Sequence, residues 1–186
     1  MEDLARARER YLKRLYGDLA EGRVDSDIAE WLVEVNKKKC IVTTSSCSGR
    51  VALIYGPSLT SKRGARILGS WHDPGECRRE VCRPRDTGLY TWWLSLQPPI
   101  IHFLADSVEE AEAILECGDK AGFSKLGYRR HRTGLIHVEA GAGDKLHLIL
   151  PAPCMEALSL CTLLEEYKKR LSKFMECMLG APCKRG

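Results

Sequence analysis

Apolar residues recur at steps of three and four in several stretches of the chain, which is the spacing of one face of a helix. The most regular series lies near the C-terminus and comprises Ala157, Leu160, Leu164, Tyr167, Leu171, Phe174 and Met178. The patterns predict helices over residues 3–16, 25–36, 107–122 and 155–179, and a short helix over residues 76–82. The C-terminal series is a heptad seam, so that helix either packs on its own domain or forms a coiled-coil dimer.

Runs rich in β-branched and aromatic residues, bounded by Gly, Pro and Ser, predict strands between these helices. They occupy residues 40–44, 51–55, 66–72, 89–96, 100–104, 126–130, 135–139 and 145–150. Turns rather than helices separate most of them, which favours an α+β fold with a largely antiparallel sheet. A strand, helix and hairpin over residues 100–150 mirror a strand, loop and hairpin over residues 40–72, which indicates an internal duplication.

Composition is that of an ordinary globular protein, with 186 residues of which 44% are apolar and 29% charged. This length predicts a single domain over residues 1–186. No apolar run approaches the ~20 residues of a membrane span. The charged N-terminus lacks the apolar segment of a signal peptide. We therefore expect a cytoplasmic protein with no membrane partner, and the sequence does not fix its oligomeric state.

Nine cysteines are spread through the chain. Because the cytoplasm is reducing, most are expected to be reduced, buried and apolar in character. One or two disulfides remain open as an alternative, since hyperthermophile proteins form them inside the cell. The spacing of His72, Cys77 and Cys82 matches no common zinc site, so no metal is predicted.

Basic residues are clustered, although the net charge is only +4. Residues 123–137 contain no acidic residue and include Lys125, Arg129, Arg130 and Arg132. A cluster of this kind fits a local anionic contact such as RNA, and an ordinary solvated surface is the alternative.

The stretch TTSSCSGR, over residues 43–50, contains the densest group of functional side chains. Gly49 permits positive φ, and small neighbours leave backbone N–H groups open to a carboxylate or phosphate. Arg50 can clamp such an anion with two hydrogen bonds. The stretch is not a GxSxG, Walker A or GxGxxG motif, and a serine-rich hairpin turn is the alternative. A thiol- or metal-dependent hydrolase built on Cys47 or His72 is a further alternative.

Four motifs occur in a characteristic order: VDSDIAEWLVEVN, TTSSCSGR, QPPIIH and AGF. Over residues 24–150 they make the chain resemble the third protein of wybutosine synthesis in the phenylalanine-tRNA pathway. The C-terminal helix, over residues 154–180, lies outside the matched part. The resemblance implies an α+β duplication whose sheet curls towards a barrel. It also implies a methyltransferase that uses S-adenosylmethionine to methylate N4 of a tricyclic base, 3′ of the anticodon in phenylalanine tRNA.

Carried over by position, the resemblance implies a cofactor-binding turn made of Ser45, Ser46, Cys47, Ser48, Gly49 and Arg50. It places two family histidines on His72 and His102 and an acidic helix start on Asp25. Either histidine can accept the proton of the methylated nitrogen, because imidazole titrates near neutral pH. A non-catalytic RNA-binding module of the same fold is the alternative function. The basic cluster is the expected contact with phenylalanine tRNA.

Overall fold

The computed structural model describes residues 3–57, 64–82, 90–130, 134–150 and 154–184. The described helices are α1 (Leu4–Ala20), α2 (Ser26–Val35), α3 (Pro74–Glu80), α4 (Val108–Lys120) and α5 (Cys154–Gly180). The described strands are β1 (Ile41–Cys47), β2 (Arg50–Gly56), β3 (Arg66–Trp71), β4 (Thr91–Gln97), β5 (Ile100–Ala105), β6 (Lys125–Arg130), β7 (Ile136–Gly141) and β8 (Leu146–Leu150). No helix in the described ranges has the length and apolar character needed to cross a membrane.

The strands form two four-stranded antiparallel sheets, in the orders β1-β5-β7-β6 and β3-β2-β4-β8. The expected α+β class with antiparallel pairing and a long C-terminal helix is confirmed. Within the described residues the strands do not close into one barrel. In each sheet, two strands that are consecutive in the chain pair at one edge: β6 with β7 in the first sheet, and β2 with β3 in the second. The chain runs through these parts as β5, α4, β6 and β7 in one sheet, and as β2, β3, α3 and β4 in the other.

Two compact units divide the chain. The first unit comprises residues 1–48, 99–143 and 169–186 and contains the β1-β5-β7-β6 sheet. The second unit comprises residues 49–98 and 144–168 and contains the β3-β2-β4-β8 sheet. Residues 154–168 of α5 therefore belong to the second unit, and its remaining residues belong to the first.

The main core of the first unit is built around Phe174 of α5, which is fully buried. The rings of Phe123, Trp31 and Phe103 lie 4.8, 6.2 and 6.3 Å from it, centroid to centroid. The indole N–H of Trp31 donates to the carbonyl of Met175 at 3.1 Å, which satisfies its polar atom inside the core. Since side chains alternate along a strand, the neighbours of Phe103 on β5 point to the opposite face of the sheet.

The N-terminal half of α1 covers part of that opposite face. Leu4 and Ala7 pack in a buried cluster with Val42, Leu104 and Leu135. The guanidinium of Arg8 donates to the backbone carbonyls of Asn36, Lys38 and Ile41 and so fastens α1 beside the connection from α2 to β1. Burial lowers the pKa of Arg8 below its usual range.

Helix ends follow local capping chemistry. The Ser107 hydroxyl accepts the N–H of Glu110 at 3.2 Å, as the capping box predicts. Asp73 caps α3 by accepting the N–H of Glu76 at 2.7 Å, so this helix begins two residues earlier than predicted. Helix α1 continues past Gly17, because one glycine costs a helix only about 1 kcal/mol.

All seven residues of the C-terminal seam are buried within the chain itself. The seam is therefore used for packing inside the protein, which favours the packed helix over the coiled-coil dimer.

The expectation that most cysteines are reduced is wrong. Eight of the nine form disulfides, namely Cys40–Cys183 and Cys117–Cys177 in the first unit and Cys77–Cys161 and Cys82–Cys154 in the second. Cys47, which lies within the described residues like the other eight, forms no disulfide. The partners lie 60 to 143 residues apart in sequence, and folding brings their Cα atoms within 5.2–5.9 Å. One cysteine of every bridge belongs to α5 or to the segment after it.

Removing the Cys117–Cys177 bridge should destabilise the protein. A Cys117→Ala, Cys177→Ala variant is expected to lose about 2–5 kcal/mol of unfolding free energy, because the unfolded chain is no longer constrained by the cross-link. Thermal unfolding followed by circular dichroism without reductant measures this, and Cys47→Ala is the matched control. If the double variant and the wild type unfold at the same temperature, the bridge makes no contribution.

Glu110 should make stability depend on pH. Its side chain is 4% exposed, and its Oε1 has no hydrogen-bond partner among the described residues. Burial raises the pKa of Glu110 above its usual value of 4.5, against the opposing effect of Lys184 and Lys38. The folded state then holds this proton more tightly than the unfolded state. The resulting stabilisation is present at low pH and is lost as the pH rises above about 4.5 through the folded-state pKa.

We therefore expect Glu110→Gln to reduce the loss of unfolding free energy between pH 4.5 and neutrality, measured by urea titration at several pH values. Glu116→Gln is the control. The hydrogen bond from Lys120 lowers the pKa of the exposed Glu116. The stabilisation from Glu116 is therefore present at neutral pH and is lost on acidification, so Glu116→Gln should change the pH profile in the opposite direction to Glu110→Gln. An unchanged pH profile in Glu110→Gln would contradict the assignment.

Candidate active site

A row of polar side chains crosses the face of the β1-β5-β7-β6 sheet opposite the phenylalanine core. Ser45 of β1 pairs directly with His102 of β5, and His102 pairs with Glu139 of β7. Directly paired residues of antiparallel strands share a face, so these three side chains are neighbours. Gly127 of β6 follows in the row and, lacking a side chain, leaves open space opposite Glu139 in the described sheet.

Both ring nitrogens of His102 have partners. Its Nδ1 lies 2.6 Å from Oγ of Ser45, and its Nε2 lies 3.5 Å from Oε2 of Glu139. The carboxylate can only accept, which favours the tautomer with the proton on Nε2 and leaves Nδ1 to accept from the serine hydroxyl. The His137 ring lies beside it, 5.3 Å between centroids. The His102 side chain is 25% exposed, so a substrate can reach it.

A bulge in β1 places Ser45 in this row. The pairing with β5 shifts between Thr43, opposite Phe103, and Ser45, opposite His102, so Thr44 is an extra residue. In a strand without the bulge, Thr44 rather than Ser45 would face His102. The strand runs to Cys47, so the first half of the predicted turn is strand rather than loop.

The buried residue Asn36 fixes the strand just before the bulge. Its Nδ2 donates to Oγ1 of Thr43 at 2.7 Å, and its Oδ1 accepts the Thr43 N–H at 2.9 Å. Both residues are buried, so breaking this pair would leave polar atoms unsatisfied at a cost of about 1–3 kcal/mol. Thr43 is thereby held on the core side, and the residues after the bulge take the opposite face.

Asp25 supports the end of the same motif. It stands at the start of α2, but its side chain makes no capping hydrogen bond to that helix within the described chain. Instead its Oδ2 accepts the backbone N–H of the fully buried Ser48 at 2.7 Å. The next residue, Gly49, has φ of 87°, as expected for a glycine in this turn. Asp25, the acidic residue of the VDSDIAEWLVEVN motif, therefore fixes the backbone of the TTSSCSGR motif.

Two other predicted site residues belong to the second unit. His72 follows β3 in the second unit, where it is half-buried, so the row in the first unit contains only one of the two predicted histidines. Arg50 also belongs to the second unit, and its Nε donates to Oε1 of Gln97 at 2.9 Å.

The basic cluster is split between the two faces of β6. Arg129 pairs with His137 and Lys125 pairs with Gly141, so both are on the face of the row. Arg130 pairs with the buried Ile136 and is on the other face. Arg132 lies outside the described residues. A cavity of about 460 Å³ on β6 and β7 is lined by Lys125, Leu126, Gly127, Tyr128, Arg129, His137 and Glu139.

Sequence reasoning missed Glu139 and His137. The alternation of IHVEA in β7 is the signal that could have found them, because it predicts polar side chains at two positions on one face of a strand.

Comparison with protein families shows to which family the chain belongs. The family described as Methyltransferase TYW3 matches residues 6–180, which is most of the chain. The chain belongs to the TYW3 methyltransferase family.

Relatives in the TYW3 family carry names that describe a tRNA modification. A Pyrococcus abyssi protein named tRNA(Phe) 7-((3-amino-3-carboxypropyl)-4-demethylwyosine(37)-N(4))-methyltransferase 1 is 31% identical over 152 residues, which cover 80% of this chain and 77% of that protein. A Pyrococcus furiosus protein with the same name, numbered 2, is 37% identical over 126 residues and is covered to 60% of its length. The chain thus spans about three fifths of the length of the relatives numbered 2; for the Pyrococcus abyssi protein numbered 2 the share is 57%.

Solved structures show the same fold. The PH1069 protein of Pyrococcus horikoshii superimposes with a TM-score of 0.81 at 23% identity, covering 95% of this chain and 96% of that one. A hypothetical protein of Aeropyrum pernix gives a TM-score of 0.65 at 24% identity, covering 83% and 97%. The fold of these two proteins therefore extends over most of this chain.

Proposed function

We propose that this chain methylates N4 of a tricyclic wyosine-type base, 3′ of the anticodon in phenylalanine tRNA, with S-adenosylmethionine as methyl donor. The observation that supports this proposal most directly is the row of Ser45, His102 and Glu139, of which Ser45 and His102 belong to two of the motifs that carry the family resemblance. The relatives' names, which specify tRNA(Phe), a demethylwyosine and N(4), support the choice of substrate.

The row supplies a path for the proton that the methylated nitrogen loses. Ser45 can accept this proton at Oγ while passing its own to Nδ1 of His102. The Glu139 carboxylate near Nε2 then stabilises the imidazolium by charge attraction. When bound, S-adenosylmethionine supplies a methyl group activated by its sulfonium.

Alignment is the other requirement of a displacement reaction, and it depends on how firmly the row is held. The Asn36–Thr43 bonds before the bulge and the Asp25–Ser48 bond after it fix both ends of the segment that contains Ser45. A substrate therefore meets preset partners rather than a mobile turn.

The cavity on β6 and β7 is the proposed entry of the acceptor base. It borders Glu139 at one end of the row and contains Lys125 and Arg129, which can contact phosphates. From this cavity the base extends over His102, so that N4 lies beside Ser45, the proton acceptor.

The decisive test is methyl transfer from labelled S-adenosylmethionine to phenylalanine tRNA that carries the N4-unmethylated tricyclic base. We expect His102→Asn to lower kcat by about 10²–10⁴, because the proton acceptor is lost. His147→Asn, a change at an exposed histidine of β8, should be neutral. A His102→Asn enzyme within twofold of wild type would overturn the role of the row. Tight tRNA binding by the wild type without any transfer would favour the RNA-binding module.

Arg129 should contribute to tRNA affinity through a phosphate. Arg129→Ala is expected to weaken binding and to reduce the slope of log affinity against log salt by about 1, measured by fluorescence anisotropy at several KCl concentrations. Arg130→Ala is the matched control, because the neighbouring arginine is on the opposite face of the same strand. Equal effects of the two changes would contradict binding on this face.

A further inference from the structure

We propose that the methyl donor binds in a second cavity of the first unit, between α1 and β1. This inference rests on the proposed function, because it assigns a place to the donor of that reaction. The cavity has a volume of about 530 Å³, within the range of pockets that hold a cofactor-sized molecule. Tyr11, Arg14, Leu15 and Asp18 of α1 line one side, and residues 43–46 of β1 line the other.

The cavity exists because the two halves of α1 meet different surfaces. Leu4 and Ala7 close tightly on Val42 and Leu104. Beyond them, residues 43–46 of β1 are small and polar, so the strand presents Ser45 to this face instead of a large apolar side chain. The helix nevertheless continues to Ala20, so its second half passes over this polar stretch and leaves a gap beneath it.

The lining fits the parts of an adenosyl-amino acid. Tyr11 and Leu15 offer partly buried apolar surface to an adenine ring. The Asp18 carboxylate can accept hydrogen bonds from the ribose hydroxyls or from the ammonium group. Arg14 and Arg23 lie 3.6 and 2.7 Å from that carboxylate and give the lining a net charge of +1, which favours the donor's own carboxylate.

Ser45 links this cavity to the chemistry. It lines the cavity and also bonds to Nδ1 of His102. The cavity of β6 and β7 borders the other end of the row, at Glu139. Paired strands are about 4.8 Å apart, so the two ends are separated by roughly 10 Å across β5. An acceptor base that extends from the cavity of β6 and β7 over His102 would bring N4 to the Ser45 end of the row, in line with the donor's methyl group, as a direct displacement requires.

The assignment narrows the cofactor turn inferred from the family resemblance. Of its six residues, Ser45 and Ser46 line the cavity. The Ser48 N–H bonds to Asp25, and Arg50 bonds to Gln97. We therefore assign Ser45 and Ser46 to contact with the donor, and Ser48 and Arg50 to contacts within the protein.

Calorimetric titration with S-adenosylhomocysteine tests the assignment without requiring turnover. Leu15→Trp fills the cavity and should weaken binding at least tenfold. Asp18→Asn removes a charged acceptor and should weaken binding at least tenfold, because hydrogen bonds to a charged group are stronger than those to a neutral one. Lys13→Trp, on an exposed position of the same helix, is the matched control and should bind as wild type. Each variant is checked for an unchanged melting temperature and tRNA affinity.

The outcomes separate the two proposals. No binding of S-adenosylhomocysteine by the wild type would count against the proposed methyltransferase itself. Binding by the wild type that is unchanged in both Leu15→Trp and Asp18→Asn would overturn the cavity assignment and leave the reaction standing. Loss of tRNA affinity instead of cofactor affinity in Leu15→Trp would overturn it too, in favour of an RNA site. If Leu15→Trp fails to fold, the isosteric change Asp18→Asn still tests the assignment.

Discussion

The buried hydrogen bonds between Asn36 and Thr43 are the constraint on which the candidate site depends. They hold Thr43 on the side of the aromatic core, while the extra residue Thr44 is absorbed as a bulge. The side chains that follow are thereby offset by one position, and Ser45 reaches His102. In a regular strand, the hydroxyl of Thr44 would face the imidazole instead of that of Ser45.

This arrangement divides the first unit by function. One face of its sheet carries Phe103 and the other large apolar side chains, which pack on α5 and supply stability. The other face is apolar where the N-terminal half of α1 packs on it, and beyond that it is polar, with cavities at both ends of the row. Polar side chains on a solvated face cost little to keep, so chemistry can be placed there without weakening the core.

The disulfides give α5 a larger role than helix packing alone. Every bridge has one end in this helix or in the segment that follows it, and each bridge lies inside one unit. A 27-residue helix that is fastened at several points keeps Phe174 in register with the sheet. The sheet in turn keeps His102 and Glu139 opposite each other. The site therefore rests on cross-links far from it in sequence.

The sequence by itself determined what depends on neighbouring residues. The helices, the Ser107 cap and the buried seam of α5 follow from periodicity and local hydrogen bonding, which act over a few residues. The sequence also predicted the motif around Ser45 and a functional role for His102, because the residue types and the order of the motifs are characteristic. Family membership confirmed the class of protein that this order indicated.

Tertiary structure alone decided which distant residues meet. Glu139 joins His102 through strand pairing across 37 positions of the chain, and cysteines up to 143 positions apart become partners. The bulge at Thr44 changes which side chains share a face, and pairing with β7 separates Arg129 from Arg130. Such contacts depend on register between strands and on the path of the whole chain, and no local pattern of residues encodes either.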